Sequence, residues 1–206
     1  MRGGPGQGAG RMERVGARLN AGSLFGRLGC LLGLAGCAVP KVLRWGLVTC
    51  ITGYMALGWK LVIDSVDAAA LADFWAAALE YEVEDPSVLV SRLLAAGHIG
   101  EEAVLEHRGR RTFRGFAGVR HPEDSFDQVS GVGLGRRLLF QDVPEEKSGK
   151  NRLHIDVHCA AGGLDALVVR LEGLGATRVR EVDNGPAGRW WIMQDPEGNE
   201  FCAASS

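Results

Sequence analysis

Hydrophobic and polar positions alternate along this chain in two similar blocks. In the first, Leu61-Val62-Ile63-Asp64-Ser65-Val66-Asp67 runs into a stretch of helical period, Ala68–Leu79. In the second, about ninety residues later, Leu153-His154-Ile155-Asp156-Val157-His158 runs into Leu164–Leu174. Each block reads as a short apolar strand carrying an Asp, a junction, and a helix. Two such blocks predict a duplicated α+β module with a cleft between its halves.

The spacing predicts a strand over Leu57–Ser65. Asp67 serves as N-cap of a helix Ala68–Leu79, because its carboxylate satisfies free helix N–H groups. Leu71, Phe74, Trp75 and Ala78 recur at helical spacing and face the sheet. Tyr81–Glu84 follows as a strand. Ser87–Ala96 is helical by pattern and ends at Gly97. Glu101–Val119 suggests a hairpin around Arg108-Gly109-Arg110, and Arg136–Val143 is the next strand.

The second block is shorter. It predicts a strand over Leu153–Cys159, a helix over Gly163–Gly173 and strands over Thr177–Glu181, Arg189–Gln194 and Glu200–Ala203. Asp195-Pro196-Glu197-Gly198-Asn199 has turn composition. The order β-α-β-β-β implies a mostly antiparallel sheet. The globular part is residues 55–206, with module one over 57–143, an insertion over 86–136, and module two over 151–203.

Residues 1–54 form an extension of a different kind, Gly- and Arg-rich and then apolar. Arg27, Lys41, Arg44 and Pro40 interrupt the apolar run below the ~20 residues a spanning helix needs. Leu34-Ala35-Gly36-Cys37 resembles a lipobox. Met55 offers an alternative start, the upstream sequence then being readthrough of a GC-rich leader. The expected location is cytoplasmic, or membrane-associated through residues 24–59 if the extension is native.

With a net charge of −2, the chain lacks the basic surface that nucleic-acid binding needs. Five cysteines without C-x-x-C spacing fit a reducing compartment rather than a disulfide framework. Gly131-Val132-Gly133-Leu134-Gly135 lacks the spacing of a nucleotide loop.

Asn151-Arg152-Leu153-His154-Ile155-Asp156-Val157, Leu174-Gly175-Ala176-Thr177 and Asp195-Pro196-Glu197-Gly198-Asn199-Glu200-Phe201-Cys202 resemble the glyoxalase-like branch of the vicinal oxygen chelate superfamily. Asp64-Ser65-Val66-Asp67, Ala72-Asp73-Phe74-Trp75 and Leu138-Leu139-Phe140-Gln141 fit the same pattern in the first half. The resemblance implies an α+β fold of paired βαβββ modules in an open, barrel-like sheet. It also implies a divalent metal held by one side chain from each of four strands, and often a homodimer. Those four positions fall on His154, Cys202, Gln141 and Lys60 or Val62, of which only His154 is a strong ligand. The resemblance therefore implies an incomplete metal set.

His154, Asp156 and His158 alternate with apolar residues and should share one strand face. Residues two apart lie about 6.6 Å apart along a strand and residues four apart about 13 Å. His154 and Asp156 can therefore share an ion, whereas His154 and His158 cannot. His154 and Asp156 are the candidate catalytic pair, since His titrates near physiological pH. Gln141, Trp190, Trp191, Lys60, His158 and Cys202 are candidate ligand contacts. Of the adjacent Trp190 and Trp191, one should wall the cavity and the other pack in the core.

Three functions stay open. The first is binding of a small apolar or oxygenated molecule in the cleft between the two modules, without a complete metal site. The second is a metal- or His-dependent lyase or isomerase of the glyoxalase class. The third is a regulatory or interaction domain that uses the 86–136 insertion.

Overall fold

Asp67 starts the first helix by the expected mechanism. In the computed structural model, which describes residues 59–205, the Asp67 carboxylate accepts the Ala70 N–H at 3.0 Å. Strand β1 (Leu61–Ser65) thus passes into α1 (Ala68–Leu79), whose Leu71, Ala72, Trp75 and Ala78 are buried. A second carboxylate, on Asp142, accepts the Ala68 N–H at 2.7 Å. The expectations for residues 1–54 lie outside the described residues.

The remaining elements are β2 (Glu82–Val83), α2 (Ser87–Ala95), β3 (Val104–His107), β4 (Arg110–Phe113), β5 (Phe116–Arg120) and β6 (Arg137–Asp142). Then come β7 (Asp156–Cys159), α3 (Leu164–Gly173), β8 (Thr177–Asp183), β9 (Arg189–Gln194) and β10 (Glu200–Ser205). Two sheets have the orders β1-β6-β5-β2 and β7-β10-β9-β8. In each, the first strand runs parallel to the last and the other pairs are antiparallel. The fold is α+β with paired βαβββ modules, as expected. Among the described residues no strand pairing joins the two sheets into a closed barrel.

The repeat seen in the sequence survives at the level of strand register. Asp64 lies opposite Gln141, and Asp156 lies opposite Cys202. Each Asp therefore occupies the same place beside the last strand of its own module. Val62 stands in β1 where the second copy has His154.

Each sheet packs one face on helices and leaves the other open. Ile63, Val119 and Phe140 join Val157, Met193, Phe201, Ala203 and the buried residues of α1 and α3 in one core. Phe201 touches the rings of both Phe74 (6.3 Å) and Trp75 (5.3 Å), so α1 packs against both modules. Arg170 of α3 donates to the Ala77 and Ala78 carbonyls at the end of α1.

Two expectations need correction. The insertion drawn over 86–136 is too long, because β5 lies inside it and pairs with both β2 and β6, as β9 does in module two. Gly118 breaks the apolar run of this strand, since a Cβ there would meet the Glu84 carboxylate at 2.0 Å. The strand expected over Leu153–Cys159 begins only at Asp156. Leu153 is 75% exposed and has no core to bury against. Asn151 is tied to Glu200 and Asn199, which draws the chain towards the closing turn.

What module one adds between β2 and β5 is α2 and a hairpin. Gly97, at φ 68°, closes α2 with paired bonds to Leu94 and from His98 to Leu93. The β3–β4 hairpin turns on Arg108 and Gly109, both at positive φ. Asp73 of α1 holds that hairpin through His107 Nε2 (2.7 Å) and Arg108 Nε (2.8 Å).

The loop after β5 then covers part of the open face of module one. Glu84 and Arg137 form a buried, two-pronged ion pair (2.8 and 2.6 Å), with Gly133 N–H also donating to Glu84. The Arg120 guanidinium sits 3.8 Å over the Phe126 ring. No such loop follows β9 in module two, where only a turn separates it from β10.

Candidate functional site

The open face of the second sheet is built from rows of residues in register. One row crosses the four strands as Arg180, Ile192, Cys202 and Asp156; the next is Val182, Trp190, Ala204 and His158. Successive side chains alternate faces, so Val157, Phe201, Ala203 and Met193 enter the core while these eight face away from it. The adjacent tryptophans separate accordingly. Trp191 packs against the core and lies under Arg178, whereas Trp190 stands on the open face.

His154 precedes β7 rather than lying in it, yet its Nε2 is 3.3 Å from Asp156 Oδ1, both side chains being half exposed. Ligand atoms of His154, Asp156 and Cys202 all lie within 4.8 Å of one another. The Cys202 thiol is pushed up to about 11, first by burial and then by the charge of Asp156 and a hydrogen bond to it. It is therefore a protonated thiol at neutral pH. His158, one row further along and exposed, is outside this group.

The three donors fit a divalent ion in kind. Imidazole nitrogen, carboxylate oxygen and sulfur are a zinc-type set with one position left for water or substrate. Binding would have to displace the thiol proton, so affinity would rise with pH. The set has three members, where the resemblance implied four strands. Gln141 belongs to the other sheet, and Lys60 immediately precedes its first strand, β1. Among the described residues, no hydrogen bond or ion pair joins them to His154, Asp156 or Cys202.

A polar hollow lies between the modules, lined by Asp64, Val143, Glu145, Lys147, Glu197 and Asn199 among others. It contains none of the expected site residues. Its floor is a junction: Glu197 accepts the Ser65 hydroxyl at 2.8 Å and the Val66 and Asp67 N–H groups at 3.0–3.1 Å. Beside it, Asp195 is buried and accepts the Trp75 indole N–H at 3.1 Å. Desolvation pushes the Asp195 carboxyl up, against hydrogen bonds from Asn199, Trp75 and Glu197.

Arg180 and Ala204 went unrecognised in the sequence. Strand alternation counted from Thr177 puts Arg180 on the core side. A bulge between Arg178 and Arg180 inserts one residue and turns Arg180 to the open face.

Residues 60–204 match the family described as the glyoxalase-like domain. No curated protein matches the chain. Among solved structures, the chain is similar to a glyoxalase/bleomycin resistance protein/dioxygenase family enzyme from Burkholderia phytofirmans PsJN. The identity is 15%, covering 71% of this chain and 95% of that one, with a TM-score of 0.45. It is also similar to the fosfomycin resistance protein FosX from Mesorhizobium loti (10% identity, 73% and 92% covered, TM-score 0.46). A third is a glyoxalase-related enzyme from Fulvimarina pelagi (14% identity, 73% and 89% covered, TM-score 0.42).

Proposed function

Because the chain belongs to the glyoxalase-like domain family of the vicinal oxygen chelate superfamily, we propose that it binds a small, partly apolar, oxygenated molecule on the open face of its second sheet. The observation that carries this reading is the register that sets Trp190 beside Ala204 and His158, one row from Cys202 and Asp156. Trp190 supplies an apolar wall, the small Ala204 leaves room in front of it, and the His154–Asp156 pair orients a polar group of the ligand. Module one offers less, since its own loop covers the Glu84–Arg137 end of its open face.

A second reading rests on the convergence of His154, Asp156 and Cys202. These residues would hold a divalent metal, which would polarise a carbonyl or hydroxyl of the substrate as a Lewis acid. The protein would then be a lyase or isomerase of the glyoxalase class. Elemental analysis of the purified protein and of His154→Ala separates the two. Stoichiometric metal lost with His154 supports the enzyme. Ligand-induced thermal stabilisation in metal-stripped protein, lost in Trp190→Ala, supports binding alone.

In either case we take the protein to be a cytoplasmic homodimer. The family's habit supports the dimer, and cysteines without framework spacing support a reducing compartment. Among the described residues no helix is long and apolar enough to cross a membrane.

A further inference from the structure

We propose that the molecule taken by the open face of the second sheet is an organic anion, with Arg180 as its counter-charge. This rests on the reading that this face is a binding site. On the helix-covered side of the same sheet every arginine is engaged: Arg178 with Glu172, Arg189 with Asp165 and Glu181, and Arg170 of α3 with the α1 carbonyls. On the open face of the first sheet, Arg120 has Glu82 and Arg137 has Glu84. Arg180 differs from all of these. Among the described residues it has no carboxylate partner, although a bulge spends a ladder position to aim it at the open face.

The rest of that face does not neutralise it. Asp156 lies three strands away in the same row, about 14 Å at ordinary strand spacing, and already faces His154 and Cys202. Glu200 is taken by Lys147 and the Asn151 N–H. Lys150, close enough to Cys202 to act on its thiol, adds further positive charge. In a chain of net charge −2, this face is locally cationic, and such a field favours anions. Between Arg180 and Asp156 lies Ile192, with Trp190 in the adjoining row. The ligand therefore pairs its anionic oxygens with Arg180, rests its apolar body on Ile192 and Trp190, and turns its remaining polar end towards His154.

Four probes of one size test this: benzoate, phenyl phosphate, benzyl alcohol and benzylamine, each titrated by thermal shift and tryptophan fluorescence. The proteins are wild type, Arg180→Gln and Trp190→Ala. The proposal expects the two anions to bind best, with affinity falling as salt is added. Arg180→Gln should weaken them roughly tenfold and leave benzyl alcohol unchanged. Benzyl alcohol binding as well as the anions, with loss in Trp190→Ala but not in Arg180→Gln, overturns the anion and keeps the site. Binding of any probe that survives Trp190→Ala, or no binding of any, overturns the site and the anion together.

Discussion

Glu197, in the turn before the last strand, accepts the backbone N–H of Val66 at the start of the first helix, 131 residues earlier in the chain. The same carboxylate takes the Asp67 N–H and the Ser65 hydroxyl. A side chain of module two thus caps a helix of module one. Glu197→Ala should cost about 1–2 kcal/mol, the range for losing a helix cap, read as a lower melting temperature. Glu197→Gln should recover part of that loss, because its amide oxygen still accepts. Melting equal to wild type in Glu197→Ala would show that water replaces the carboxylate at no cost.

The buried pair Glu84–Arg137 makes a second prediction. Arg137→Met leaves the Glu84 carboxylate enclosed with only Gly133 as donor, which should cost about 3–5 kcal/mol. The double change Arg137→Met with Glu84→Leu removes both charges and should be less destabilising than Arg137→Met alone. Urea unfolding of the three proteins reads the difference, and additive losses would refute the coupling.

Acid should destabilise the fold. Asp124 is held at about 2 by the Arg136 guanidinium and then its backbone N–H. Asp85 is lowered chiefly by the Ser87 hydroxyl, Asp127 by the Ser130 N–H, and Glu200 by the Asn151 N–H. A carboxylate depressed in the folded state stabilises above its unfolded value, about 4, and loses that contribution as pH falls towards its folded value. Asp195 acts in the other sense: burial raises it, so protonation relieves a cost. With Asp124 held at about 2 and three further carboxylates lowered, melting temperature should drop between pH about 4 and 2. A melting temperature that rises on acidification would show that Asp195 dominates.

Cys202 should be a slow nucleophile. With its thiol pushed up to about 11, on the order of one molecule in ten thousand carries the thiolate at pH 7. Alkylation by iodoacetamide, followed peptide by peptide in a mass spectrometer, should run on the order of a hundredfold slower than for a free cysteine. Asp156→Asn removes the nearby charge and should speed it. Because burial is the larger cause, full recovery of the free rate would contradict the structure.

Much of the architecture was legible in the residues because it is local. Helix α1, its Asp67 cap, the positive-φ turn of the β3–β4 hairpin and the closing turn all announce themselves within a few positions. The parts that were not legible depend on distant partners. Strand β5 is masked by Gly118, whose reason is a carboxylate on another strand. The start of β7 is set by Asn151 reaching Glu200. Arg180 changes face through a bulge that no pattern in Thr177–Asp183 marks. Asp195–Asn199 reads as a turn, but composition does not show that its side chains grip a helix from the other module.

That grip acts on α1 at three places: Glu197 at its beginning, Asp195 on Trp75 in its middle, and Arg170 at its end. All three come from the second copy of the repeat. The consequence is a loss of autonomy. The halves cannot separate without exposing backbone groups of α1 that module two satisfies, so the amide protons of α1 should exchange with solvent only as the whole unit unfolds. Two copies of one motif have become a single cooperative body, in which side chains of the half with the open face hold steady the first helix of the half whose face is covered.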